Sequence, residues 1–393
     1  MRKLATMFLL AVLALPAFAA NQVTVNDLEQ AVAAAHGKSD KEVAQRLADL
    51  ELTQRLSTVR LERLQAGLPG DKSRLALRAI ADASAFFDLP AADILPKAGP
   101  DSATQGKIMS RAADFAEATI SKLPDFFATR TTTRFENRKL NYEAHGMVTL
   151  ANRSFGLVDR FSATVTYRNG REVVEAASGK KGRSNMSSST GLTSWGEFGP
   201  LLGVVVEDIL KGKMGWSHWE QGPVGPVAVF RYLVPADRSN YIVRYCCFMA
   251  DRGKMRDFEG IPQYHGEIAV DPTSGAVFRL VVETDLDPTV PIYRADVAVE
   301  YSPVEIGGKS YICPVKSISI TTAADFRFHG VVFYNGTITP KSIVEPKVTA
   351  INDLVFDNYH LFRTEMRILP VETTDPNGSP PAPKTPPAAA PIH

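Results

Sequence analysis

The spacing of apolar residues changes period once along this chain, and that change decides what it can fold into. From Val23 to about Leu123 apolar side chains recur every three or four residues. Leu47 and Leu50, then Leu61 and Leu64, fit this spacing, and Ile108, Ala112, Phe115, Thr119 and Leu123 form one stripe. Asn26-x-x-Glu29 and Ser39-x-x-Glu42 have the form of capping boxes, and Gly37 and Gly67 stand where helices should stop. Pro69-Gly70-Asp71 reads as a turn, and Leu95-Pro96-Lys97-Ala98-Gly99-Pro100 as a linker. After Pro124 the period becomes two. Phe161, Ala163, Val165 and Tyr167 alternate with polar residues, as do Ala295, Val297, Val299 and Tyr301, and similar runs cover 126–135, 227–234, 241–249, 264–271, 276–284, 315–321 and 326–334. Arg168-Asn169-Gly170, Asp271-Pro272-Thr273-Ser274-Gly275, Gly307-Gly308 and Asn335-Gly336 punctuate them as turns. Alternation with short loops predicts antiparallel hairpins that bury one face. One helix interrupts the series from about Gly196 to Leu210, capped by Ser194 and carrying Leu201, Leu202, Val205 and Ile209. The expected fold class is therefore α+β, with a helical domain over 20–123 and an antiparallel β domain over 124–369.

The two ends read differently. Arg2 and Lys3, the apolar run Leu4 to Leu15, Pro16 and Ala17-Phe18-Ala19 have the pattern of a secretory signal peptide over 1–19. The uncharged stretch from Leu4 to Ala20 is 17 residues long, shorter than the ~20 of a spanning helix. The expectation is a soluble mature protein, periplasmic or extracellular, with no membrane span once the signal is removed. The last segment, 370–393, holds eight of the 26 prolines and reads as a disordered tail. With 44 Lys+Arg against 43 Asp+Glu the chain has no polybasic character, which argues against nucleic acid as a partner.

Candidate functional residues are few. Trp216-Ser-His218-Trp219-Glu220 is the densest aromatic stretch; as a plain strand it places Trp216 and His218 on one face and Trp219 on the other. Trp216 and Trp219, with Leu201 and Val205 of the interrupting helix, are the candidate ligand contacts; the competing reading of the tryptophans is core packing. His218 with Glu220, and His265 with Glu267, are the two candidate acid/base sets, although Asp271 to Gly275 is fully explained as turn chemistry. The basic run Arg130-Thr-Thr-Thr-Arg134 reads as a solvated strand face, with contact to an anionic lipid or glycan as the lesser option. Three cysteines in an exported chain allow one disulfide, for which Cys247 and Cys313 are the expected pair, or three separate buried thiols. There is no C-x-x-C, H-E-x-x-H, P-loop or G-x-S-x-G, so no metal, cofactor or catalytic residue is assigned.

The hairpin Gly266-Glu-Ile-Ala-Val-Asp-Pro-Thr-Ser-Gly-Ala-Val-Phe-Arg-Leu280 and the unit Val299-Glu-Tyr-Ser-Pro-Val-Glu-Ile-Gly-Gly-Lys-Ser-Tyr-Ile-Cys-Pro314 give the region from about Leu123 to Leu369 its rhythm. That region resembles the periplasmic lipoprotein-carrier and outer-membrane lipoprotein-sorting proteins, and also looks like uncharacterised exported bacterial proteins. The resemblance implies a partly closed antiparallel half-barrel whose apolar concave face is covered by helices and shields acyl chains. The function expected is an exported binding or carrier protein for a lipid or other hydrophobic ligand. The alternatives are a cell-envelope scaffold that docks a partner protein, and a hydrolase of unknown class built on His218/Glu220 or His265/Glu267.

Overall fold

Thr24, not Asn26, starts the first helix. Its hydroxyl accepts the Asp27 N–H while the Asp27 carboxylate accepts the Thr24 N–H, a reciprocal capping box that satisfies two orphan donors. The helix that follows, α1 (Val25–Ala33), is succeeded by α2 (Asp40–Ala48), which Ser39 caps as expected, and by α3 (Thr58–Ala66) and α4 (Asp71–Ala83). Two short strands, β1 (Asn21–Val23) before α1 and β2 (Leu50–Leu52) after α2, pair in parallel, so Leu50 belongs to a strand. Val25, Leu28, Val43, Leu47, Leu61 and Leu77 form the core of this helical layer. The long helix α5 (Ser102–Lys122) starts at Asp101, whose carboxylate accepts the Thr104 N–H.

The computed structural model describes residues 21–142, 148–175, 191–192, 196–250, 254–290, 292–324, 330–331, 343–344 and 347–362. The expected signal peptide, the Pro-rich tail, Ser194 and the Asn335-Gly336 turn lie outside these residues. Among the described residues, no helix is long and apolar enough to cross a membrane.

Beyond Leu123 the chain forms β3 (Phe126–Tyr142), β4 (Val148–Arg168), β5 (Arg171–Glu175), a two-residue β6 (Gly191–Leu192), and, after α6 (Pro200–Lys211), β7 (Lys213–Gln221) and β8 (Pro226–Val234). Then come β9 (Val243–Ala250), β10 (Lys254–Gly260), β11 (Gln263–Val270), β12 (Val277–Asp285), β13 (Ile292–Ile306), β14 (Lys309–Ala324), the pair β15 (Gly330–Val331) and β16 (Ile343–Val344), and β17 (Lys347–Leu361). Ten of these strands make one antiparallel sheet in the order β5-β4-β3-β17-β14-β13-β12-β11-β8-β7, and β10-β9-β6 form a small second sheet. The hairpins turn where residues accept positive φ. Asn169 and Gly170 have φ of 51° and 72°, and Gly307 and Gly308 have 60° and 80°, as two-residue hairpin turns require. The mixed α+β class holds. The large sheet is open, with β5 and β7 at its two ends.

Both faces of the sheet are covered, and the register shows which residues each face carries. Ile318 and Ile320 of β14 pair with Ala298 and Asp296 of β13, so Val297 and Val299 point to the opposite side. On the Val297/Val299 side α5 and α6 pack Ile108, Met109, Ala112, Leu202, Val205 and Ile209 against Phe230, Tyr264, Leu280 and their neighbours. On the Ile318/Ile320 side α4 packs Ala79 and Leu75 against Phe135 and Ile351. Although α5 falls inside the expected helical domain 20–123, its buried face belongs to the core of the sheet. The helical layer and the sheet up to Leu361 form one compact unit. The interrupting helix, expected from Gly196 with a Ser194 cap, begins at Pro200 with Gly199 as its N-cap, because Pro needs no N–H partner at the first helical position.

Candidate functional site

A β-bulge rearranges the aromatic stretch. In the pairing of β7 with β8 the register shifts between Trp216 and His218, so Trp216 lies opposite Phe230, Trp219 opposite Ala228, and His218 opposite Val229. One extra residue reverses the alternation. Trp216 and Trp219 therefore share the face covered by α5 and α6, edge to face with centroids 5.1 Å apart, while His218 and Glu220 share the other. The expected split, Trp216 with His218 against Trp219, does not occur.

The linker before α5 straps across this pair. The Leu95 N–H donates to the Trp219 carbonyl at 3.0 Å, Trp219 Nε1 donates to the Ala98 carbonyl at 2.9 Å, and Lys97 sits over the Trp219 ring at 4.1 Å. Gly99 passes so close that a Cβ there would lie 2.6 Å from Trp216 Nε1. Leu201 and Val205 are buried in the same cluster, so all four candidate ligand contacts come together, but against the chain's own linker and helices. Those segments cover this part of the apolar face.

A groove runs along α5, with a volume of about 510 Å³, in the range of small-molecule sites. One wall is a single stripe of the helix running from Arg111 through Phe115 and Ala118 to Lys122, and the other is made by Thr273, Tyr311 and Ile312. The eleven residue steps from Arg111 to Lys122 span about 16 Å. Phe115 and Ile312 also pack against the buried clusters on both faces of the sheet, so the apolar floor of the groove continues into the core. Arg111 and Lys122 are exposed at its two ends, and Arg111 donates to the Pro272 carbonyl at 2.7 Å.

The opposite face holds the candidate acid/base residues, and there they are tied to arginines. Arg279 of β12 donates to Glu220 at 3.3 and 3.2 Å and to Glu267 at 2.9 Å. Arg55, in the loop before α3, donates to Glu220 at 2.5 Å, and Arg231 joins Glu267 to Asp88. Burial alone would raise the Glu220 carboxyl; Arg279 and Arg55 outweigh it and hold the group well below the usual carboxylate range. Burial likewise opposes ionisation of Glu267, and Arg279 and Arg55 together with the hydrogen bond from Arg231 bring it below its ordinary value. His218 Nε2 lies 3.5 Å from Glu220, and His265 Nδ1 faces Asp285 at 3.6 Å instead of Glu267. Two carboxylates already neutralised by three guanidinium groups are poor proton acceptors, and their role is to bind the helical layer to the sheet. A second bridge of the same kind joins Lys316 of β14 to Asp82 of α4 at 2.6 Å, and Arg78 of α4 to Asp353 of β17.

The basic run on β3 is likewise not a solvated face: Arg134 pairs with Glu136 at 3.0 Å, and Nε of Arg130 is buried. Asp271 behaves as read, accepting the Thr273 N–H and the Ser274 hydroxyl in its turn. Cys313 is a free thiol, fully buried, whose pKa burial pushes up to about 12. The expected Cys247–Cys313 disulfide is thus not formed, because Cys313 faces an aromatic cluster around Phe126, Tyr167 and Phe356, while Cys246, the neighbour of Cys247, is itself disulfide-bonded. The side chain of Cys247 lies outside the described ones. Among the described residues no three His, Cys, Asp or Glu side chains gather where they could hold a metal ion. No protein-family model, curated protein or solved structure matches this chain.

The sequence placed Phe115 on an apolar helix stripe but assigned no site role to it, nor to Arg55, Arg279 or Ile312. Arg279 had a signal: it interrupts the apolar run Val277-Phe278-Arg279-Leu280-Val281, and a charge inside such a run needs a buried partner. Arg55 and the groove had none, since both arise from segments far apart in the chain.

Proposed function

We propose that this chain is an exported binding or carrier protein that holds an acyl chain or a similar elongated hydrophobic ligand. The groove along α5 is its entry, and the open sheet wrapped over α5 and α6 plays the part of a half-barrel. The observation that carries this reading is the apolar floor of the groove, Phe115 and Ile312, which continues into the buried clusters. A length of about 16 Å with cations at both ends suits a single chain bearing a polar head. Leu201, Val205, Trp216 and Trp219 line the space that a longer ligand would reach only if α6 moved. The resemblance to lipoprotein carriers agrees with this arrangement, and a periplasmic or extracellular location agrees with the N-terminal signal pattern.

The test is native mass spectrometry of protein purified from a periplasm, followed by uptake of a fluorescent fatty acid. Ala118→Trp fills the groove from the partly exposed side of α5 and should weaken uptake at least tenfold while the circular dichroism spectrum is unchanged. Absence of bound lipid together with equal uptake by wild type and Ala118→Trp would reject the reading.

A further inference from the structure

Two carboxyl side chains lie where the chain enters α6. Glu172, on the edge strand β5 opposite Tyr167, accepts the Gly196 N–H at 3.1 Å. The next residue, Glu197, is fully buried and accepts a hydrogen bond from the Ser317 hydroxyl at 3.4 Å. Glu172 Oε1 and Glu197 Oε2 are both buried without a hydrogen-bond partner, and so is the hydroxyl of Tyr301, which is 4% exposed and interacts with both carboxyls. Two ionised carboxylates left this way would each carry the full penalty of an unpaired buried charge.

We propose that Glu172 and Glu197 share one proton and so form a latch that holds the N-terminal end of α6 against the sheet, and that loss of this proton releases it. A protonated carboxyl supplies the donor that the two orphan oxygens lack. The geometry around the pair is that of a hinge. Gly196 and Gly199 have φ of 85° and 150°, conformations that only glycine adopts without strain, and they lead directly into Pro200. At the other end Asp208 of α6 accepts two bonds from Asn240, at 2.7 and 2.6 Å, and one from the Tyr264 hydroxyl at 2.9 Å. Release of the latch therefore frees the N-terminal half of α6, with Leu201, Leu202 and Val205, while its C-terminal half stays anchored.

The groups facing Glu172 leave it as the one that titrates near neutrality. Arg130 from β3 is a facing guanidinium. Tyr167 of β4, Tyr301 of β13, Tyr359 of β17 and Tyr241 before β9 are all pushed above the ordinary tyrosine value, chiefly by burial, and Cys313 of β14 is at about 12. Burial, and next the neighbouring Glu197, raise Glu172 to about 7, against the opposing Gly196 N–H and Arg130. A carboxyl raised in the closed form binds its proton more tightly there than in the open form. The closed form is thus favoured at low pH, weakens as pH rises above the ordinary carboxyl value of 4.5, and is weakest above about 7. What the released helix uncovers for a ligand rests on the carrier reading; the latch itself does not.

Hydrogen exchange of amides 201–207, corrected for intrinsic rates and measured at pH 5.5 and pH 8 without ligand, tests the latch. Protection in the wild type should fall about tenfold or more between the two. Glu172→Gln, whose amide supplies a permanent donor, should stay protected at both, and Glu197→Gln should do the same. Protection that does not change with pH in the wild type, or an equal fall in Glu172→Gln, overturns the proposal. So does recovery of protection at pH 8 on adding calcium chloride, which would make the orphan oxygens a cation site. A pH-dependent latch combined with no fatty-acid uptake at either pH would reject the carrier reading alone.

Discussion

Replacing Arg279 by Met separates the ionic from the packing role of the residue that joins the two candidate acid/base sets. The side chain is 8% exposed, and its loss removes the bonds to Glu220 at 3.3 and 3.2 Å and to Glu267 at 2.9 Å. Met keeps most of the volume, so the cost is electrostatic. Breaking one partner of a buried pair costs about 3–5 kcal/mol; since Arg55 still holds Glu220 and Arg231 still holds Glu267, we expect the lower end, about 3 kcal/mol at pH 7. The pH dependence carries the sharper test. In the wild type both carboxyls lie below their ordinary 4.5, so their contribution is present above that pH and is lost as pH falls through the folded values. In Arg279→Met burial is less opposed, the two pKa values move up, and protonation relieves the unpaired charge. The difference between the proteins should therefore shrink from about 3 kcal/mol at pH 7 to under about 1 kcal/mol at pH 4. Urea unfolding followed by tryptophan fluorescence at the two pH values measures it. A deficit below about 1 kcal/mol at pH 7, or one of the same size at pH 4, would refute the argument.

Trp219→Phe removes the bond to the Ala98 carbonyl and should lower stability by about 1 kcal/mol, whereas Trp219→Ala should cost about 3–5 kcal/mol; thermal unfolding distinguishes them. Gly266→Ala places a Cβ 1.9 Å from the Val281 carbonyl oxygen, which already accepts the Tyr232 hydroxyl, so the variant should be recovered unfolded or not at all by size-exclusion chromatography. Cys313 should resist iodoacetamide in the native protein and react once it is denatured, as located by peptide mass, because burial both blocks access and raises its pKa to about 12. A chain beginning at residue 124 should fail to give a cooperative unfolding transition, since it lacks Ile108, Met109 and Ala112 of the sheet's core.

The period of the apolar residues and the turn residues between them decided, from the sequence alone, the class of the fold, the approximate positions of β3, β4, β8, β9 and β11 to β14, though not of β5, β10 or β17, and the hairpin turns at Asn169-Gly170, Asp271 to Gly275 and Gly307-Gly308. These features are local: side-chain alternation and positive-φ turns act through residues adjacent in the chain. Tertiary structure alone decided which side chains meet. The bulge at Ser217 reversed the faces of Trp216, His218 and Trp219, because a one-residue register shift depends on the partner strand and leaves no mark in the alternation. Arg55 and Glu220 are 165 residues apart, and their contact converts a candidate acid/base set into a structural bridge. The same holds for the groove. Its walls come from α5 and from two distant β-turn regions, so the sequence could give an apolar stripe on a helix but not the space left open beside it.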